Sequence, residues 1–176
     1  MILDHRRKKA GIKTLRVLAA GWLVAGPLRI PCALGPAGIV RGKREGDGGT
    51  PAGRFRLLWG YYRPDRKRPS AGSVPLRPLR PESGWCEAPA SRNYNRPVRA
   101  PSPDATDRMW RQDGLYDLVF VLDQNFSRRA KGRGSAIFFH HARPELTPTA
   151  GCIAISPAAM RRLAPRLARG AVLIVA

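Results

Sequence analysis

The sequence predicts a mostly β fold, a compact sandwich carrying one or two short helices. Apolar runs of strand length, bounded by glycine, proline or polar clusters, recur along the chain; residues 115–123, 136–139 and 171–175 are the strongest. Residues 157–167 space their apolar side chains as a helix does, with Met160, Leu163 and Leu167 on one face. At 176 residues, with 43% hydrophobic content, the chain is long enough to bury the core of one domain.

In chain order, residues 1–14 read as a basic, mobile tail carrying His5, Arg6, Arg7, Lys8, Lys9 and Lys13, and residues 15–176 as a single folded unit. The apolar run 17–28 after that basic start has two readings. One is a secretory leader, which Gly21, Gly26 and Pro27 interrupt and which no clean small-residue cleavage site follows. The other is a pair of strands, 15–19 and 22–34, joined by a tight turn at Ala20-Gly21. The residues alone leave both readings open, and the run is too short and interrupted to span a bilayer, so no integral membrane segment is expected.

Residues 35–53 form a glycine-rich charged loop that lacks the G-x-x-x-x-G-K-[ST] spacing of a nucleotide-binding loop. A strand is expected over 55–62, with Trp59, Tyr61 and Tyr62 as core or groove residues. Residues 63–81, rich in proline and arginine with two Leu-Arg-Pro repeats, read as an extended surface loop. Trp85-Cys86 and Tyr94-Asn95-Arg96-Pro97 lie in a polar stretch with few strand signals, and a short helix is expected over 104–110. The strand at 115–123 leads through a basic loop, 128–133, to the strand at 136–139. Ile153-Ala154-Ile155 is a further strand. Ser156-Pro157 then opens the helix as N-cap and first helical residue, Pro165 interrupts it, Gly170 ends it, and 171–175 is the last strand.

The formal charge is +20, from 32 basic and 12 acidic residues. Such an excess directs the molecule to polyanions or anionic surfaces without selecting among them. Aromatic residues amount to 7% and are not interleaved with the arginines, so nucleic-acid binding would act through phosphate contacts without stacking platforms. Three cysteines, Cys32, Cys86 and Cys152, and three histidines, His5, His140 and His141, show no metal-ligand spacing; neither a metal nor a cofactor is expected.

The chemistry concentrates in residues 134–155. A buried strand ends at His140-His141, a loop with Pro144 and Pro148 follows, and Gly151-Cys152 precedes the next strand. A thiol attacks as its thiolate, and a neighbouring imidazole is the usual proton acceptor. Twelve positions separate His140 from Cys152, enough for the loop to return and set two strand ends side by side. Side chains alternate along a strand, so only one of the two histidines can meet the thiol. Gly151 would let a substrate carbonyl approach the backbone, with the N–H groups of Gly151 and Cys152 facing a developing oxyanion.

These residues resemble the L,D-transpeptidases with a YkuD-type catalytic domain. That family carries a histidine, a spacer of a dozen or more residues, and then [Ser/Thr]-His-Gly-Cys-[Ile/Val]-Arg. Thr149, Gly151, Cys152 and Ile153 match the motif, and His140 takes the upstream place. Thr50-Pro51-Ala52-Gly53-Arg54-Phe55 is similar to the family's T-P-x-G-x-[FY] element. Two positions depart from the pattern: Ala150 stands for the motif histidine and Ala154 for the arginine.

The resemblance implies a YkuD-like β-sandwich and an acyltransferase acting on peptidoglycan stem peptides at the cell envelope or periplasm. It makes Cys152 the nucleophile and His140 the base. The main-chain carbonyl of His141 would orient the imidazole, with the His141 side chain as a wall residue, and Thr149 would support the motif. Arg143 and Arg133, flanking the stretch, are candidates for holding substrate carboxylates in place of the absent arginine. Three alternatives stand beside this: a cysteine hydrolase of the same geometry, a non-catalytic wall-binding relative, and a basic nucleic-acid-binding module.

Overall fold

The computed structural model describes residues 11–176. The expected basic tail lies outside the described residues up to position 10, and regular structure already begins at Ile12. Fourteen strands follow among the described residues: β1 (Ile12–Leu18), β2 (Trp22–Ala25), β3 (Leu28–Ala33), β4 (Ile39–Val40), β5 (Thr50–Pro51), β6 (Gly53–Tyr62), β7 (Leu76–Pro78), β8 (Ser83–Cys86), β9 (Pro97–Arg99), β10 (Thr106–Arg108), β11 (Leu118–Leu122), β12 (Phe138–His141), β13 (Ile153–Ile155) and β14 (Leu167–Val175). A single α-helix, α1 (Pro157–Leu163), joins β13 to β14.

The main sheet runs β11-β12-β13-β3-β2-β1-β14-β6-β7, and β11 also pairs with β6, so eight strands close on themselves with β7 outside the ring. Two strands turn the corners. β3 pairs with β2 through its first residues and with β13 through Cys32 and Ala33. β6 pairs with β14 over 53–56 and with β11 over 57–62. The result is a flattened sandwich joined at both edges.

Alternation along the strands explains its core. Leu15, Val17, Leu23, Ile30, Leu57, Phe120, Phe139, Ile153, Ile155 and Leu173 point inward, and Met160 and Leu163 of α1 join them. A second apolar cluster lies on the outer face of β11 and β12, where Val119, Val121 and Phe138 meet Trp85 and Met109 from the small sheet β10-β8-β9 and its flank. The site described below lies at the margin of this second cluster.

Four expectations change in detail. The strand expected over 22–34 is two, because Gly26, at φ +57°, and Pro27 turn the chain between β2 and β3. Residues 104–110 hold strand β10 instead of a helix; its pairing with β8 satisfies main-chain groups that a helix would otherwise bond internally. The loop at 63–81 contains β7 and buries Ala71, Val74 and Leu79. The final helix stops at Leu163, one turn of 3-10 helix spans Ala164–Arg166 around Pro165, and β14 already starts at Leu167. Gly170, at φ +69°, therefore lies within β14, beside the register shift against β1.

Candidate active site

The parallel pairing of β12 with β13 sets Phe139 against Ile153 and His140 against Ala154. That register brings the start of β13, and Cys152 just before it, beside the start of β12, opposite Phe138 and two residues short of His140. Phe139 faces the core, whereas Phe138 and His140 share the outer face. A cavity of about 490 Å³ opens there, walled by His140, Cys152, Tyr116 and Asp107, with Arg143 and Thr149 also lining it. Ala150 and Ala154, the two departures from the motif, line the same cavity.

Cys152 is 8% exposed and His140 6%. The thiol donates to the Ala136 carbonyl at 3.1 Å and accepts from the Phe138 N–H at 3.3 Å. Burial pushes its pKa up to about 12, with Asp107 and Glu87 adding to the rise and the Phe138 N–H opposing it. His140 moves the other way: burial lowers it to about 4. Thiol and imidazole are therefore both neutral at rest near pH 7.

The His140 Nδ1 lies 2.8 Å from the His141 carbonyl oxygen. An imidazole nitrogen against a carbonyl carries the proton, which fixes the tautomer and leaves Nε2 as an acceptor. The Tyr116 ring stands edge-on to the imidazole, with centroids 5.3 Å apart, and its hydroxyl donates to Asp107 at 2.6 Å.

His141 uses its main chain here but not its side chain. Its ring lines a separate cavity of about 520 Å³ with Leu118, Met160 and Arg161, and its Nδ1 meets the Gly114 carbonyl at 3.1 Å. The expected wall residue is thus absent from the thiol cavity, because strand alternation turns the ring away. Arg133 is absent as well: it lines another hollow with Gly42, Phe55 and Gln124. Sequence proximity placed Arg133 near the cysteine, but the loop before β12 carries it elsewhere.

Thr149 fastens the turn before the cysteine. Its hydroxyl donates to the Cys152 carbonyl at 2.6 Å and accepts from the Gly151 N–H at 3.1 Å. Gly151's N–H is therefore already committed, contrary to its expected place facing an oxyanion. Gly151 itself is required by the protein's own backbone, not by an approaching substrate. At φ +128°, a Cβ there would lie 2.6 Å from the Gly49 carbonyl oxygen. A Cβ on Gly35 would likewise come 2.1 Å from the Gly48 oxygen. Gly35, Gly48 and Gly49 thus belong to main-chain packing around the cysteine turn, whereas Gly38, Gly42 and Gly46 meet nothing there and instead hold positive φ.

Several lining residues carried no signal in the sequence. β10, read as helix, delivers Asp107; burial lifts its carboxyl above the ordinary range against the lowering effect of Tyr116 and Arg111. Glu87, just after β8, is raised to about 7 by burial, with Asp107 and Glu45 contributing. Asn95 is 2% exposed and acts one shell out. Its Oδ1 accepts from Trp85 Nε1 at 2.9 Å and from the Ala136 N–H at 3.2 Å, and its Nδ2 donates to the Gln124 carbonyl at 3.1 Å. It thereby holds Ala136 at φ +51°, the residue whose carbonyl receives the thiol. Cys32 and Cys86 are buried free thiols outside this cavity, and burial pushes Cys32 up to about 12. No group of metal-ligating side chains occurs among the described residues.

The family model described as YkuD, L,D-transpeptidase catalytic domain, matches residues 13–175. The chain belongs to this family. Among solved structures, this YkuD domain is similar to L,D-transpeptidase 1 of Mycobacterium tuberculosis, with 14% identity and a TM-score of 0.44 over 93% of this chain and 59% of that one. An L,D-transpeptidase from Mycobacterium smegmatis gives 12% identity and a TM-score of 0.43 over 93% of this chain and 58% of that one. This YkuD domain thus spans less than two thirds of the length of either structure. No curated protein matches it. No helix among the described residues is long and apolar enough to cross a membrane.

Proposed function

We propose that this YkuD domain is a cysteine acyltransferase that acts on peptidoglycan stem peptides at the cell envelope. The observation that carries the reading is that Cys152 and His140 wall one cavity while the His141 carbonyl holds His140 Nδ1. Nε2 is then free to accept the thiol proton once the thiol turns from the Ala136 carbonyl that it bonds at rest.

Cys152 Sγ attacks the carbonyl of a stem-peptide bond as its proton passes to His140 Nε2. The tetrahedral intermediate collapses, the imidazolium gives that proton to the departing amine, and a thioester remains. An acceptor amine attacks the thioester, His140 takes up its proton, and the thiol is regenerated. Because the resting thiol and imidazole are both neutral, proton transfer accompanies attack instead of preceding it as a standing ion pair. With Gly151's N–H bonded to Thr149, the Cys152 N–H is the main-chain donor we assign to the oxyanion. Arg143, exposed at the cavity wall, is assigned to a substrate carboxylate, since Ala154 offers no charge.

Intact-mass measurement after exposure to a carbapenem tests the assignment, because a strained lactam acylates a competent thiol in a fitting pocket. One adduct is expected on the protein, mapping to Cys152 after digestion. Cys152→Ala should give no adduct and no turnover of a tetrapeptide-stem donor, whereas Cys32→Ser and Cys86→Ser should retain both. Turnover by Cys152→Ala equal to that of the parent would remove this thiol from the mechanism.

A further inference from the structure

Across the ring from the thiol cavity, the outer face of β3, β2, β1, β14 and β6 carries an ordered row of side chains. Strand register aligns Arg29 with Val24, Val24 with Arg16, Arg16 with Ile174, and Ile174 with Arg54. Residues in register share a face, so arginine and aliphatic residues alternate strand by strand across five strands. All three arginines are exposed, while Val24 and Ile174 between them are half-buried. With neighbouring strands about 4.8 Å apart, successive arginines stand roughly 10 Å apart.

The five strands contain no aspartate or glutamate. No carboxylate among the described residues pairs with Arg16, Arg29 or Arg54, whereas nearby Arg56 meets Asp123 at 3.2 Å. Like charges held in a line, with no carboxylate paired to them among the described residues, are an arrangement that an anionic partner completes. We infer that this face binds a flexible, base-free linear chain of phosphate groups lying along the Arg29–Arg16–Arg54 row. The surface is separate from the thiol cavity and does not depend on the chemistry proposed there.

Two other partners fit the face less well. A bilayer calls for projecting apolar side chains, yet Leu18, at 37% exposure, is the one exposed large hydrophobic residue among those described. A nucleic-acid strand calls for free aromatic faces, and the Arg29 guanidinium already covers Trp22, 4.7 Å from its ring centroid. Phosphate suits guanidinium because it presents paired oxygens to the planar fork and keeps its charge through the neutral range.

The test is a titration of labelled long-chain inorganic polyphosphate with the full chain, followed by anisotropy over a series of salt concentrations. Arg16→Gln, Arg29→Gln and Arg54→Gln combined is compared with a charge-matched control, Arg92→Gln, Arg128→Gln and Arg162→Gln, from exposed positions elsewhere. The row variant should lose about tenfold or more in affinity. Its log–log salt slope should become shallower by about 2, as removal of three single-strand-type phosphate contacts requires. The control should lose less than about threefold. Alkylation of Cys152 and the melting temperature should match the parent in both. If the triple row variant is unstable, Arg16→Gln alone, at the centre of the row, should still weaken binding more than any single control substitution. Equal losses in the two triples would reduce the effect to net charge and overturn the proposal. A larger row-specific loss with duplex DNA or phosphatidylglycerol vesicles than with polyphosphate would overturn the assigned partner.

Discussion

His140 and His141 are adjacent in sequence but face different surroundings, and their difference tests the site residue by residue. His140 shares a cavity with Cys152, while the ring of His141 bonds toward Gly114 on the other side of β12. His140→Ala should therefore lower turnover by about 10²-fold or more, the usual effect of deleting a general base. His141→Ala keeps the orienting carbonyl and should reduce turnover only slightly; a reversed order would exchange the two assignments. The pH profile adds a second check. His140 is lowered to about 4, so it remains neutral and able to accept a proton well below the ordinary imidazole range. The acid limb of Cys152 alkylation should accordingly fall near pH 4 to 5, and a limb at 6.5 would mean an imidazole in contact with solvent.

At the scale of elements, the loop before β12 depends on one buried amide. Asn95 joins Trp85 of β8 to Ala136, and Ala136 receives the thiol. Asn95→Ala leaves two buried N–H donors without a partner, which costs about 2–4 kcal/mol. Its effect on chemistry should exceed that of a remote substitution with equal loss of stability, because the Ala136 carbonyl would no longer be fixed. Matching alkylation rates at matched stability would make Asn95 structural only. None of this was legible in the sequence, where Asn95 lies in a polar run without periodicity. The same limit hid β10: three residues are too few to show alternation, and their pairing with β8 is non-local. By contrast, β11 and β13 were visible because each is a continuous apolar run buried on both faces. β12 showed itself only through Phe138 and Phe139; the strand starts two residues later than expected and takes in both histidines. That His140 and Cys152 wall one cavity could be anticipated from a strand-borne histidine and a Gly-Cys turn before the next strand. Arg133 could not be placed, since sequence proximity does not say which way a loop leaves a strand.

At the scale of the whole molecule, buried and partly buried groups of opposite kind set how stability responds to pH. His140, lowered to about 4, and His141, also lowered, bind fewer protons folded than unfolded. Their contribution is complete above the unfolded histidine pKa of about 6.5 and is lost as pH falls toward 4. Glu87, raised to about 7, and Asp107, also raised, act with the reverse sign. They bind more protons folded than unfolded, so stability declines as pH rises from about 4.5 through 7. The two sets oppose each other between about pH 4.5 and 6.5, where the parent protein should show a nearly flat melting temperature. Asp47 and Asp113, held below the ordinary carboxylate range, enter only at more acidic pH. Glu87→Gln removes one rising acid and leaves both histidines. Its melting temperature should climb with pH from 4.5 to 6.5 and exceed that of the parent at pH 8, where Glu87 would otherwise be a partly buried anion. Parallel melting curves for the parent and Glu87→Gln across that range would show that this carboxyl titrates alike in the folded and unfolded chains. The acidic wall of the cavity would then be hydrated, and Glu87 would add little to the elevation of the Cys152 thiol.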